Sequence, residues 1–263
     1  MTETTVTRTT TLAGARLSDP VSRRSLLGRL ALAGAGGMVA SAIPARSLFA
    51  FAGDKADADL ASTAEPSPIG TPREALQELA AGNRRFVDGR STGPHRSMAR
   101  LKEVAPSQAP FAAVLACADS RVPVEILFDQ GFGDMFVCRA AGNIVTPEML
   151  ASLEFGTLVL GAKALLVLGH SGCGAVKATI AGDAVPGQIS TLYQYIQPAV
   201  DRIAGQSKDG KAELEAVARE NVRMQTRLLG RSSPVLRGLV KEGKLAIVGG
   251  MYDLASGRVA ILD

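Results

Sequence analysis

Four short apolar runs, separated by stretches of helical character, constrain the fold of this chain more than any other feature of its sequence. The runs are residues 111–116, 135–137, 164–168 and 245–248. Their length and composition are typical of strands buried on both faces of a parallel sheet. Parallel neighbours need long crossover connections, which are usually helices. The pattern therefore predicts an α/β fold with a mostly parallel sheet flanked by helices. A hydrophobic content of 46 %, with 4 % aromatic residues and no Trp, agrees with a core of Ala, Val, Leu and Ile.

The helices are marked by their start and stop signals. Thr71-Pro72 opens an N-terminal helix, because Pro is favoured at the first helical position. Three more helices are predicted, namely one from Thr146-Pro147 to near Gly161, one over 211–229 that Gly230 ends, and one from Ser233-Pro234 to Gly243. The tail, residues 251–263, is predicted to form a turn at Ser256-Gly257 between two short strands.

The positive charge of the chain has a local origin. The whole chain carries a net +4, and residues 1–52 alone account for it with six arginines against Glu3 and Asp19. Residues 53–263 are neutral overall, whereas a nucleic-acid surface would need clustered excess Lys and Arg. We therefore expect no nucleic-acid partner.

Residues 22–52 are typical of a twin-arginine export signal, with paired Arg23-Arg24, a mildly apolar stretch, and a small-x-small cleavage site at Ala50-Phe51-Ala52. The alternative, a membrane anchor, is disfavoured by Gly34, Gly36, Gly37 and Pro44 within the apolar stretch. We predict a signal peptide over 1–52, a linker over 53–70 and a catalytic domain over 71–263. The expected partner is the twin-arginine export machinery, and the expected location is periplasmic or extracellular, without a membrane anchor after cleavage. Because this route carries folded proteins, a metal could be loaded before export.

Two polar clusters directly follow predicted strands. "CADSRVP" (117–123) comes after the first run and "GHSGCGAVKA" (169–178) after the third. Functional loops of parallel sheets gather at the carboxyl ends of their strands. If these two strands are neighbours, Cys117, His170 and Cys173 converge on one point. Two thiolates and an imidazole suit zinc, and three protein ligands with one exchangeable position suggest a catalytic metal, for which Asp119 is close enough to compete.

Other interpretations of these clusters are weaker. "GHSGCG" could be mistaken for a dinucleotide-binding loop, but no acidic residue of the expected kind follows it. A thiol oxidoreductase would need a C-x-x-C motif, which the chain lacks, and three cysteines do not suggest a disulfide scaffold. We interpret Cys138 as a buried thiol and His95 as a solvated loop residue.

The two clusters together resemble the β-class carbonic anhydrase family. "EALQELAAGNRRF" (74–86) is similar to the family's N-terminal helix, and "RAAGN" (139–143) is similar to its central segment. The resemblance covers about residues 71–263. It implies a four-stranded parallel sheet flanked by helices, an N-terminal helical arm that commonly wraps a partner subunit, and assembly as a homodimer or homotetramer.

The resemblance also implies roles for single residues. Cys117, His170 and Cys173 would hold one Zn²⁺ per subunit. Arg121 would hold the carboxylate of Asp119 off the metal, and Asp119 would orient a zinc-bound hydroxide, although in a closed state it would bind zinc directly. Gln108 matches a glutamine that contacts substrate in part of the family. The implied reaction is the reversible hydration of CO2 to bicarbonate and a proton, that of a carbonate dehydratase.

Two alternatives to this function stay open. A sister enzyme on the same scaffold could hydrolyse carbonyl sulfide or carbon disulfide, which are also small linear electrophiles. A non-catalytic zinc module for assembly or bicarbonate sensing would have no use for Asp119 and Arg121.

Overall fold

A computed structural model describes residues 69–203, 205 and 209–262. The predicted signal peptide and all but the end of the predicted linker lie outside the described residues. The helices are α1 (Pro72–Val87), α2 (Met98–Val104), α3 (Val124–Leu127), α4 (Pro147–Glu154), α5 (Gly174–Ala181), α6 (Tyr193–Ile203), α7 (Gly210–Ser232) and α8 (Pro234–Lys241). The strands are β1 (Ala112–Ala116), β2 (Met135–Arg139), β3 (Ala164–His170), β4 (Ala246–Tyr252) and β5 (Val259–Leu262). A π-helical turn (Phe155–Val159) follows α4, and a 3₁₀ turn (Ile189–Leu192) precedes α6. Within this part of the chain, no helix has the length and apolar character needed to cross a membrane.

The strands form one sheet in the order β2-β1-β3-β4-β5. The pairs β1–β2, β1–β3 and β3–β4 are parallel, and β4–β5 is antiparallel. This architecture confirms the predicted α/β fold and its four parallel strands. It adds a fifth strand that the four-stranded expectation did not include.

The fifth strand comes from the predicted tail hairpin. The first of the two expected tail strands is the end of β4, which continues through Met251 and Tyr252, and the second is β5. Asp253 shapes the turn between them, because its Oδ1 accepts hydrogen bonds from the backbone N–H and the hydroxyl of Ser256 at 2.7 and 2.8 Å. Gly257 follows with φ at +75°, a conformation that glycine adopts at little cost.

One predicted helix end was wrong. Gly230 does not stop α7, which continues to Ser232, because Gly230 keeps a helical backbone and Leu229 remains buried. Ser233 ends the helix instead and caps α8, since its hydroxyl accepts a hydrogen bond from the N–H of Leu236 at 2.9 Å. The helix that begins after Thr146 continues beyond Glu154 as the π-helical turn to Val159, and Gly161 follows with φ at +80°. Its predicted end near Gly161 is therefore confirmed.

Strands β1 and β3 are the buried centre of the sheet. Every residue of both strands is buried, and alternate side chains enter hydrophobic clusters on opposite faces of the sheet. Burial on both faces explains why these strands are continuous apolar runs. The loops that leave their carboxyl ends therefore start from well-fixed positions.

Helix α1 packs against the rest of the described chain. Thr71 begins it with a reciprocal capping box, in which Thr71 and Glu74 bond each other's backbone N–H. Near its other end, the Asn83 amide donates to the carbonyls of Leu127 and Gly257 at 3.1 and 3.0 Å and accepts from the N–H of Val259 at 2.9 Å. This one side chain joins α1 to α3 and to the turn before β5.

Candidate metal centre

The two polar clusters meet at the carboxyl edge of the sheet. Cys117 directly follows β1, His170 is the last residue of β3, and Cys173 is the N-cap of α5. Strands β1 and β3 pair in parallel, with Ala116 opposite Leu168. The condition set by the sequence, that these two strands are neighbours, is therefore met.

The structure brings the sulfurs of Cys117 and Cys173 and a ring nitrogen of His170 within 4.8 Å of one another. The three residues are 3 %, 1 % and 1 % exposed. The two sulfurs lie 3.9 Å apart, far beyond the ~2.05 Å of a disulfide. Two sulfurs on a tetrahedral zinc at ~2.3 Å each would be ~3.8 Å apart. The spacing therefore fits a shared metal ion.

The imidazole of His170 is set up as a ligand. Its Nδ1 lies 3.0 Å from the carbonyl oxygen of Ser171, which fixes the tautomer with the proton on Nδ1. Its Nε2 is buried and has no hydrogen-bond partner among the described residues. A buried polar atom without a partner is costly, and metal ligation removes that cost. Metal-bound histidines commonly use their other nitrogen in this way.

The two thiols influence each other's protonation. The hydrogen bond with the Cys173 sulfur lowers the pKa of Cys117, and the nearby His170 adds to this effect. The same hydrogen bond and burial raise the pKa of Cys173. A second thiolate in this buried space therefore requires a cation beside it. Two soft thiolates and an imidazole are a donor set that suits Zn²⁺.

A carboxylate–guanidinium pair lies next to these three residues. Arg121 Nε and Nη2 donate to the two carboxylate oxygens of Asp119 at 2.9 and 2.8 Å, and the Arg121 backbone N–H donates to Oδ1 at 2.9 Å. These hydrogen bonds hold the pKa of Asp119 well below its usual range and raise the pKa of Arg121. The Asp119 side chain is therefore an ionised hydrogen-bond acceptor at neutral pH.

Asp119 faces the metal site in this conformation without joining it. Its Oδ2 lies 3.8 Å from Nε2 of His170, while Arg121 engages both carboxylate oxygens. The described group of possible ligands consists of Cys117, His170 and Cys173. Ligation of a metal by Asp119 in a closed state stays a prediction.

Gln108 lies elsewhere. It precedes β1, whereas Cys117 follows that strand, so the two residues are separated by the strand's five residues, a rise of ~17 Å. One chain therefore does not bring Gln108 to the metal site. His95 lies in a loop with its side chain 51 % exposed, as expected, and its Nδ1 also lies 2.7 Å from Oδ1 of Asp134.

Two features around the site were not predicted from the sequence. The backbone N–H of Gly142 donates to the Cys117 sulfur at 3.3 Å, and Arg139 contacts the Cys117 loop. Both residues belong to "RAAGN", which resembled the family without an assigned role. Its place near the site could have been predicted, because this segment begins at the end of β2, the neighbour of β1, and so lies at the same sheet edge.

The fold and the site together define a class of α/β protein in which two cysteines and one histidine can hold a single metal ion at the carboxyl edge of a parallel sheet. The family model described as "Carbonic anhydrase" matches residues 112–259. The chain belongs to the β-carbonic anhydrase family.

Individual relatives match over most of their length. The carbonic anhydrase of Mycolicibacterium smegmatis is 38 % identical over 200 residues, which cover 74 % of this chain and 95 % of that protein. Carbonic anhydrase 2 of Mycobacterium tuberculosis is 36 % identical over 200 residues, with the same coverage. Among solved structures, a tetrameric β-carbonic anhydrase of Sordaria macrospora superposes with a TM-score of 0.59 at 25 % identity, over 71 % of this chain and 96 % of that one.

Proposed function

We propose that this chain catalyses the reversible hydration of CO2 to bicarbonate and a proton, with one Zn²⁺ per subunit held by Cys117, His170 and Cys173. The observation that carries the proposal is the convergence of these three side chains beside the Asp119–Arg121 pair. Relatives named carbonic anhydrases, matched over nearly their whole length, support the same reaction.

The chain supplies a ligand set with an open position. The sulfurs of Cys117 and Cys173 and Nε2 of His170 would hold the metal, and the Nδ1–H···O bond to Ser171 keeps the ring in the orientation that ligation needs. Zinc, when bound, supplies a Lewis acid that makes water a nucleophile near neutral pH.

Asp119 orients the reacting water. Arg121 donates twice to Oδ1 and once to Oδ2, so Oδ2, which lies 3.8 Å from Nε2 of His170, keeps capacity to accept a further hydrogen bond. Because its pKa is low, the carboxylate stays ionised and accepts a hydrogen bond without taking the proton. This favours a water oxygen whose free lone pair points at the CO2 carbon.

The product proton leaves through water or buffer. The chain has two histidines: His170 is a ligand, and His95 belongs to a loop before α2, where it pairs with Asp134. Neither residue is placed to act as a shuttle at Asp119. We therefore expect turnover to rise with buffer concentration.

Assembly and location belong to the proposal as well. We propose a homodimer or homotetramer, supported by the tetrameric assembly named for the Sordaria macrospora relatives. A contact of Gln108 with substrate would then require Gln108 from another subunit. Arg23-Arg24 and the apolar stretch after them support export by the twin-arginine machinery to the periplasm or the outside.

The decisive experiment is stopped-flow CO2 hydration beside a carbonyl sulfide assay, on one sample whose zinc content is measured. Saturable CO2 hydration in proportion to bound zinc is expected. A zinc-loaded sample that hydrolyses carbonyl sulfide or carbon disulfide but leaves CO2 unhydrated would instead indicate the sister activity. Loaded protein inactive on all three would indicate a non-catalytic zinc module.

A further inference from the structure

The guanidinium of Arg139 bonds the loop that carries Cys117 and Asp119. Arg139 is the last residue of β2, the strand beside β1. Its Nε donates to the Cys117 carbonyl oxygen at 3.0 Å, and its Nη2 donates to the Asp119 carbonyl oxygen at 2.5 Å. One side chain therefore bonds the backbone of Cys117 and of Asp119, the two site residues in the loop after β1.

Backbone pairing between the two strands stops within this loop. The N–H of Ala140 donates to the Ala116 carbonyl at 3.1 Å, and the N–H of Ala118 donates to the Ala140 carbonyl at 3.2 Å. Beyond Ala118 the chain turns, with the N–H of Val122 donating to the Asp119 carbonyl at 3.0 Å. Beyond Ala118, the bond from Arg139 Nη2 to the Asp119 carbonyl connects the loop to β2.

We propose that Arg139 is a positioning residue for the reaction. By bonding both carbonyls, it fixes the Cys117 sulfur toward His170 and Cys173 and fixes the Asp119 carboxylate beside the imidazole. The planar guanidinium fork presents two donors in fixed geometry, which a lysine ammonium cannot reproduce. This inference rests on the proposed CO2 hydration, because its kinetic readout needs that reaction.

Two substitutions in the full chain test the inference. Arg139→Met keeps the apolar stem and removes every donor, while Arg139→Lys keeps one charged donor group. Outer-shell substitutions at metal sites commonly cost ~10–100-fold in activity or metal affinity. We expect Arg139→Met to retain one zinc per subunit and to lose ~10–100-fold in kcat/KM, with Arg139→Lys intermediate between it and the wild type.

A matched control tests whether the effect depends on the place of the arginine beside the metal site or only on the loss of an arginine. Arg237 also donates to a backbone carbonyl, that of Arg231 at 3.1 Å, but on an exposed surface of α8. Arg237→Met should leave kcat/KM unchanged. The absorption spectrum of Co²⁺-substituted protein gives a readout that does not depend on turnover, and it should shift in Arg139→Met and not in Arg237→Met.

The outcomes are distinguishable. Wild-type kcat/KM per bound metal together with an unshifted Co²⁺ spectrum in Arg139→Met would overturn the inference, and if that variant fails to fold, the same result in Arg139→Lys would do so. A drop in activity that only follows lost zinc would also overturn it. An inactive wild type would instead count against CO2 hydration itself, and the Co²⁺ spectra would then decide on Arg139 alone.

Discussion

At the residue scale, the three cysteines differ in their surroundings more than in their burial. Cys117, Cys138 and Cys173 are 3 %, 8 % and 1 % exposed. Burial raises the pKa of Cys138, and it acts as a small apolar residue of β2. The other two thiols share a hydrogen bond, and one of them receives an N–H from Gly142. Hydrogen-bond partners, rather than exposure, therefore distinguish Cys117 and Cys173 from Cys138.

Cys173→Ser is expected to lose metal and activity together. A serine hydroxyl is a poor zinc ligand beside one thiolate and one imidazole. Zinc per subunit and CO2 hydration should both fall by at least ~10-fold. Cys138→Ser is the matched control and should keep both. A Cys173→Ser preparation that hydrates CO2 normally without zinc would contradict the assigned ligand set.

Asp119→Ala is expected to keep zinc and lose most turnover. The carboxylate is held by Arg121 and lies outside the ligand group. The variant should therefore keep the metal but lose the group that orients the reacting water. A loss of ~10²-fold in kcat/KM is the expected size for such a group. Asp201→Ala, on the exposed side of α6, is the control. Unchanged kcat/KM with zinc in place would remove Asp119 from the mechanism.

At the element scale, one buried carboxylate joins α1, the loop after it and the segment before β2. Asp129 is fully buried. It accepts hydrogen bonds from Arg85 Nε at 2.7 Å and from the backbone N–H groups of Thr92 and Gly93 at 3.0 and 2.9 Å. Burial alone would raise its pKa, but these donors outweigh burial and lower the pKa of Asp129 to about 2. The carboxylate therefore stabilises the fold only while it is ionised.

Acid should weaken this junction in a defined pH range. The folded pKa lies below the ~3.9 of an unfolded Asp, so the contribution, about 2 kcal/mol, is fully present above about pH 4. It is lost as the pH falls toward the folded value of about 2. Asp129→Asn should lower the free energy of unfolding at pH 7 by ~2–3 kcal/mol and remove this part of the acid dependence.

Urea unfolding at pH 7 and pH 3 measures both effects, and the difference from wild type cancels the action of acid on the metal site. Asp88→Asn is the control, because its ion pair with Arg90 is exposed and such pairs contribute ~1 kcal/mol at most. An Asp129→Asn variant with wild-type stability at pH 7 would show that the junction does not depend on the charge.

The sequence predicted the elements whose signals are local and strong. The apolar runs gave β1 and β3 because both faces of those strands are buried, and Thr71-Pro72 gave the start of α1 because capping is a local interaction. The tail turn and its two strands were predicted, but the joining of the first tail strand to β4 was not, because Gly249 and Gly250 interrupt the apolar run in the middle of that strand. The end of α7 was missed because Gly230 favours a stop only when the backbone takes a left-handed conformation, and here it does not.

The candidate site was predictable to the same extent. Cys117, His170 and Cys173 follow from the shared edge of neighbouring parallel strands. The bonds of Arg139 to the carbonyls of Cys117 and Asp119 depend on how the side chain crosses that edge. Such a path cannot be predicted from the spacing of motifs in the sequence.

At the whole-molecule scale, the proposed export would depend on Arg23 and Arg24, which are distant in sequence from the metal site. Replacing both Arg23 and Arg24 by Lys should leave the protein in the cytoplasm, because the twin-arginine machinery reads that pair. Arg29→Lys is the control and should be exported like the wild type. Fractionation with immunodetection measures both. Normal export of the double variant would show that the protein leaves the cytoplasm by a different route.

Cys117 and Cys173 are 56 positions apart in the chain, yet their sulfurs lie 3.9 Å from each other. An ion bound between them closes a long loop in the way a covalent cross-link does, and so reduces the freedom of the unfolded chain. Unlike a covalent cross-link, this closure is reversible and depends on the supply of free zinc. The persistence of the native state would then change with the zinc concentration of the compartment that receives the protein.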